Sequence, residues 1–248
     1  MKSNKPFFQS ITFSTTIVLI IWSVHIITRL TEISLTSWGI FPREADGLLG
    51  IITAPLVHGS WEHLFSNSAP LFVSTTIIYY FYKRVAWASF FFIYLATGLS
   101  VWLLGRSVYH IGASGVVYGL ISFIFWSGIF RRNIKSIVLA LVVTILYSGY
   151  LGGIVPNKEG VSWESHLLGA IVGIIVAFLF KSVIESDEEE TDPWADEIYA
   201  DATPYFPRDV FDMTIKEREE MRRQEALLKR QLWEERQRLR DLGDDVVN

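Results

Sequence analysis

Six apolar runs, each close to the length of a bilayer crossing, constrain this chain more than any other feature, and they fall at about 11 to 30, 63 to 82, 86 to 104, 112 to 130, 134 to 152 and 163 to 183. A hydrocarbon core of roughly 30 Å needs about 20 largely apolar residues per helix. The runs therefore predict an all-α polytopic membrane protein built as a six-helix bundle. Composition agrees, since charged residues make up 19% of the chain where a soluble domain carries about a quarter, and the mean hydropathy is +0.32. One long connection, 31 to 62, separates the first two runs. It sets Trp38, Phe41, Pro42, Arg43, Glu44 and Asp46 among apolar residues, so structure of its own is expected there.

Lys2 and Lys5 precede the first run as they would in a signal peptide. That run exceeds the about 7 to 15 residues of a signal core and no small-x-small site closes it, so an uncleaved first span is expected. Lys2, Lys5, Lys83, Arg84, Arg131, Arg132, Lys135 and Lys181 fall on one side of the six spans, against Arg29, Arg43, Arg106 and Lys158 on the other. The positive-inside rule then predicts a multi-pass protein of a cell (inner) membrane with both termini cytoplasmic. Loops 31 to 62, 105 to 111 and 153 to 162 would lie outside.

Beyond Lys181 the chain changes character. A six-helix domain over 1–183 is followed by an acidic, Pro-containing linker over 184–212, with Glu185, Asp187, Glu188, Glu189, Glu190 and Asp192 at its start. Residues 213–248 predict a charged amphipathic cytoplasmic tail helix with Met221, Leu228, Leu232, Leu239 and Leu242 on one stripe. It reads as a solvated helix with i,i+4 ion pairs or as a surface for a cytoplasmic partner or the membrane. Deleting 185–248 is expected to leave the chemistry of the bundle intact. The chain has no cysteine, which excludes disulfides, thiolate metal sites and a cysteine nucleophile.

Polar groups inside a bilayer are costly enough to be functional candidates by default. The second run opens with His63 and Asn67 one turn apart, the fourth with Gly112-Ala113-Ser114-Gly115 and Tyr118, and the sixth with His166 followed by Gly169 and Gly173. With the N-terminus inside, these three even-numbered helices all begin at the outer surface, so His63, Ser114 and His166 share a depth that water can reach. A serine needs a neighbouring base to become nucleophilic, and neutral histidine is the usual one near neutral pH. Ser114 and His166 supply that pair, while His63 and Asn67, with the backbone at Ser114, offer donors for an oxyanion. Tyr118 can hold the imidazole of His166. No Asp is near, so a dyad is expected. Gly169 and Gly173 form a small-xxx-small face that would bring the sixth helix against the fourth, where Gly112, Gly115 and Gly119 continue the stripe.

The blander readings are these. Ser114 among glycines suits a plain helix interface, and a lone intramembrane histidine suits an interhelical hydrogen bond. His25 reads as structural, His58 as a brace for the long loop or the site, and His110 as exposed. Convergence of His58, His63, His110 and His166 on a metal is a weaker alternative, since there is no H-E-x-x-H and Glu62 and Glu164 are the only acids close enough to serve. Neither cofactor nor metal is expected, and no nucleic acid partner. A transport path would need polar groups continuing below Asn67 and Tyr118, where few occur.

In combination and in this order, His58, His63 and Asn67, then Gly112-Ala113-Ser114-Gly115 with Tyr118, then His166, Gly169 and Gly173 resemble the signature of rhomboid intramembrane serine proteases, over about residues 11 to 183. The resemblance implies a Ser114–His166 dyad, an oxyanion site using His63 and Asn67, a half-embedded loop 31 to 62, and entry gated by a mobile fifth helix and the cap 153 to 162. It also implies transmembrane proteins as substrates, cut near the outer end of a helix. Phe41-Pro42-Arg43 stands where many relatives carry a Trp-Arg pair, and the tail lies outside the resemblance. A catalytically silent member that binds transmembrane helices as chaperone or adaptor is the alternative.

Overall fold

The computed structural model describes residues 5–155, 162–185 and 213–244. It divides into two compact units, Met1–Glu189 and Glu190–Asn248. The first holds six principal helices: α1 (Lys5–Thr31), α2 (Trp61–Phe81), α3 (Ala86–Leu104), α4 (Ser114–Arg131), α5 (Ile134–Tyr147) and α6 (Trp163–Leu179). The second holds α7 (Ile215–Asp244). The linker expected over 184–212 lies, from 186 onward, outside the described residues, as does most of the cap.

Helix α4 is the axis of the bundle. Val116, Val117, Leu120, Phe123 and Ile124 are all buried along it, and α2, α3, α5 and α6 pack on its sides. The outer faces carry exposed Leu19, Ile27, Phe91, Leu95, Leu141 and Ile145, the surface a bilayer solvates. By length and composition α1, α3 and α4 are each long and apolar enough to cross a membrane, while α5 and α6 are shorter apolar helices. In α2 polar side chains face inward instead. Thr75 and Thr76 donate to Ser14 Oγ of α1 at 2.8 Å each, and Trp22 Nε1 donates to Ser68 Oγ at 2.9 Å. Such bonds join helices where water is absent.

The fifth helix is shorter than its apolar run suggests. The α-helix stops at Tyr147 and continues as a 3-10 segment over Ser148–Ile154, because Gly149, Gly152 and Gly153 add about 1 kcal/mol each to the cost of regular helix. The connection between α1 and α2 is ordered, as its length and mixed composition predict. It contains 3-10 turns at Thr36–Trp38, Ala45–Gly47 and Ala54–Leu56 and a single α-turn at Gly50–Thr53. Arg43, in the left-handed region at φ 65°, donates to Gly105 C=O at 2.7 Å and Ser107 Oγ at 2.9 Å. Ile40 pairs with His110 through two backbone bonds of 2.9 Å. Trp38, Leu48, Leu49 and Ile52 remain exposed on this loop, giving it an apolar outer edge.

Candidate functional site

Ser114 opens α4, directly after a turn in which Gly112 takes φ +102°. That conformation is open to glycine, and a Cβ there would also collide with the His63 ring. The imidazole of His63 therefore rests on the turn that presents Ser114. Ser60 caps α2 by accepting from the His63 N–H at 3.1 Å, which fixes the start of the helix and His63 one turn before Asn67. Asn67 is buried and donates through Nδ2 to His63 C=O at 2.9 Å.

His166 lies in the first turn of α6 and is 8% exposed. Its helix meets α4 without side chains between them: Cβ atoms at Gly169 and Gly173 would overlap the carbonyl oxygens of Gly115 and Gly119. Gly115 in turn faces Ser165, whose carbonyl would be 3.1 Å from an added Cβ. The residue after Ser114 thus abuts the residue before His166.

Two contacts orient the imidazole of His166. The Tyr118 ring stacks on it, with centroids 4.2 Å apart and planes 11° from parallel. Nδ1 lies 2.8 Å from Gly153 C=O, and since a carbonyl only accepts, Nδ1 carries the hydrogen and Nε2 is left with its lone pair. Tyr118 holds the ring by its face, because its hydroxyl donates to Tyr150 C=O at 2.5 Å. The 3-10 segment after α5 is thereby tied to both α4 and α6. It is also tied to α2. Pro70 has no N–H to offer the Ser66 carbonyl one turn earlier, and Tyr150 Oη donates to that carbonyl at 2.9 Å.

The other three histidines have partners of their own. His25 Nδ1 lies 3.1 Å from His58 C=O and its Nε2 accepts from Arg29 Nε at 3.4 Å. His58 is buried behind His63, with ring centroids 5.0 Å apart. Burial, then the neighbouring His63 and His25, pushes its pKa down to about 4, so it is neutral. His110, expected to be exposed, is instead 2% exposed, because its backbone pairs with Ile40 and its ring reaches Ser162 Oγ at 2.5 Å. Among the described residues no three His, Asp or Glu side chains are grouped to hold a metal ion.

Sequence reasoning missed Gly153, Tyr150, Ser162, Ser165 and the Arg106–Glu164 ion pair at 3.0 Å. The run Tyr147-Ser148-Gly149-Tyr150-Leu151-Gly152-Gly153 was the available signal, a helix-breaking stretch with two tyrosines at the depth of the site.

The Rhomboid domain family matches residues 45–183, a span that includes every residue of this site. An uncharacterized protein of Mycobacterium tuberculosis is 37% identical over 67% of this chain and 73% of its own length. One of Mycobacterium leprae is 33% identical over 67% and 70%. The chloroplastic Rhomboid-like protein 11 of Arabidopsis thaliana is 28% identical over 52% of this chain and 51% of its own length.

Proposed function

Because this chain belongs to the rhomboid family of integral membrane proteins, we propose that it is an intramembrane serine endopeptidase with Ser114 as nucleophile and His166 as general base. The observation that carries this reading is the conjunction at one end of the α4–α6 contact: a serine at a helix N-terminus, and a histidine whose Nδ1–H is committed to Gly153 C=O. That commitment leaves Nε2 to accept the Ser114 proton as Oγ attacks a peptide carbonyl. The resulting oxyanion meets the free N–H groups of the first turn of α4 and the positive end of its dipole. The His63 imidazole and the remaining Asn67 amide hydrogen supply further donors. The imidazolium of His166 then gives its proton to the leaving amine. Water, deprotonated by the same nitrogen, hydrolyses the acyl-enzyme and returns Ser114. Tyr118 and Gly153 keep the ring in one tautomer and one plane throughout.

Substrates are transmembrane proteins whose helices unwind near the outer surface, since a peptide bond inside a regular helix is shielded from Ser114. Both termini lie in the cytoplasm and the site opens to the outer face of a cell membrane, an orientation supported by the cationic residues of the short loops. The test is cleavage of a helix-destabilised transmembrane reporter by the purified full chain in detergent, beside Ser114→Ala and His166→Ala. Cleavage by wild type alone is expected. A folded wild type that binds such reporters without cutting them would favour a silent helix-binding member of the family, and cutting by Ser114→Ala would refute the dyad.

A further inference from the structure

On the outer side of the dyad, two polar attachments join the loop that leads into α4 to the first turn of α6. Arg106 Nε lies 3.0 Å from Glu164 Oε1. Beside it, His110 Nδ1 is 2.5 Å from Ser162 Oγ, which is 2.6 Å from Ser165 Oγ, and His110 Nε2 is 3.0 Å from Arg106 C=O. The carbonyl can only accept, so Nε2 carries the hydrogen and Nδ1 accepts from Ser162, whose oxygen then accepts from Ser165. Ser162 occupies the N-cap position of α6 yet makes no side-chain cap bond. Its hydroxyl, which would ordinarily satisfy that helix end, is given to His110.

His110 is four residues before Ser114, Ser162 four before His166, and Ser165 is the residue whose backbone abuts Gly115. The imidazole is fixed on its other side by the backbone pairing of His110 with Ile40. The charged groups that face it are Arg106 on its own loop and Glu164 on α6, and burial lowers its pKa below the ordinary imidazole value. It is thus neutral at neutral pH, the state in which Nδ1 accepts.

We propose that His110 is a positioning residue, whose neutral imidazole takes the N-cap hydroxyl of Ser162 and so sets the first turn of α6, with His166, in register with Ser114. The proposal rests on the dyad reading above. A base displaced by about 1 Å costs on the order of 10²-fold in rate with little effect on substrate affinity, and that split separates positioning from binding.

The experiment compares purified full-length wild type, His110→Phe, His110→Gln, Ser162→Ala and the His110→Phe/Ser162→Ala double variant. The readouts are kcat and KM on a transmembrane reporter, the rate of Ser114 labelling by a fluorophosphonate, and the thermal midpoint. His110→Phe and Ser162→Ala are expected to lose about 10²-fold in kcat and labelling rate with KM held. The double variant should be no worse than the poorer single, as for partners in one bond. His110→Gln, which restores a donor and an acceptor on a neutral frame, should recover most of the rate. Wild-type kcat in Ser162→Ala, multiplicative losses in the double variant, or losses that only track the thermal midpoint would each overturn the proposal. Failure of the dyad itself is read separately, from an inactive wild type or an active Ser114→Ala control.

Discussion

The imidazole of His63 rests on Gly112, where a Cβ would overlap it, so the ring packs the turn before Ser114, and in the proposed mechanism its N–H serves the oxyanion. If that N–H stabilises the oxyanion, its value is realised only when charge develops on the carbonyl oxygen, and it contributes little to holding the uncharged substrate. His63→Ala is therefore expected to lower kcat by about 10²-fold or more while KM changes little, measured by steady-state cleavage of the transmembrane reporter. A rise in KM at constant kcat would show that His63 binds substrate rather than the transition state. His58, 5.0 Å away between ring centroids, is buried behind it.

At the scale of the helix pair, the site depends on α4 and α6 approaching backbone to backbone. A Cβ at Gly169 would overlap Gly115 C=O, an atom that cannot rotate away, so Gly169→Ala must push the helices apart beside the proposed Ser114–His166 dyad. The expected result is a kcat reduced about 10²-fold through misplacement of His166, with a stability loss of about 1–3 kcal/mol from overpacking, read from cleavage and from the denaturation midpoint of the same preparation. Unaltered turnover would mean that the helices have slack at this level. This contact was legible in the sequence because glycines spaced by four on one helix state their own geometry, as do the histidines and serine that open three even-numbered runs. The 3-10 segment after α5 was not. Gly153 acts through a backbone carbonyl, which no pattern of side chains nominates, and Tyr150 acts on a Ser66 carbonyl that only the position of Pro70 leaves open. His110 was misjudged for a related reason: its burial follows from pairing with Ile40, 70 positions earlier, and long-range backbone pairing leaves no local periodicity to read.

For the molecule as a whole, the acidic stretch after α6 looks in the sequence like the start of a linker, yet its first carboxylate is held by the bundle. Glu185 is 1% exposed; Oε2 accepts from the Arg84 N–H at 3.0 Å, and Oε1 lies 4.0 Å from Arg131 Nη2. The Arg131 side chain is 3% exposed, donates to Phe180 C=O at 3.1 Å and lies over the Tyr82 ring. The chain following α6 thus returns across the α2–α3 turn and the end of α4. A truncation that begins at 185 removes this carboxylate with its bond to the Arg84 N–H and its contact with Arg131, a loss expected to destabilise the bundle. One that begins at 190 removes only the second compact unit. Deletion of 190–248 is accordingly expected to keep both the wild-type denaturation midpoint and the wild-type kcat in detergent, whereas deletion of 185–248 lowers the midpoint and Glu185→Gln in the full chain reproduces most of that drop. If the two truncations unfolded together at the wild-type midpoint, Glu185 would be dispensable to the bundle. If deletion of 190–248 alone abolished cleavage, the charged helix Ile215–Asp244 would have to be counted as part of the catalytic machinery.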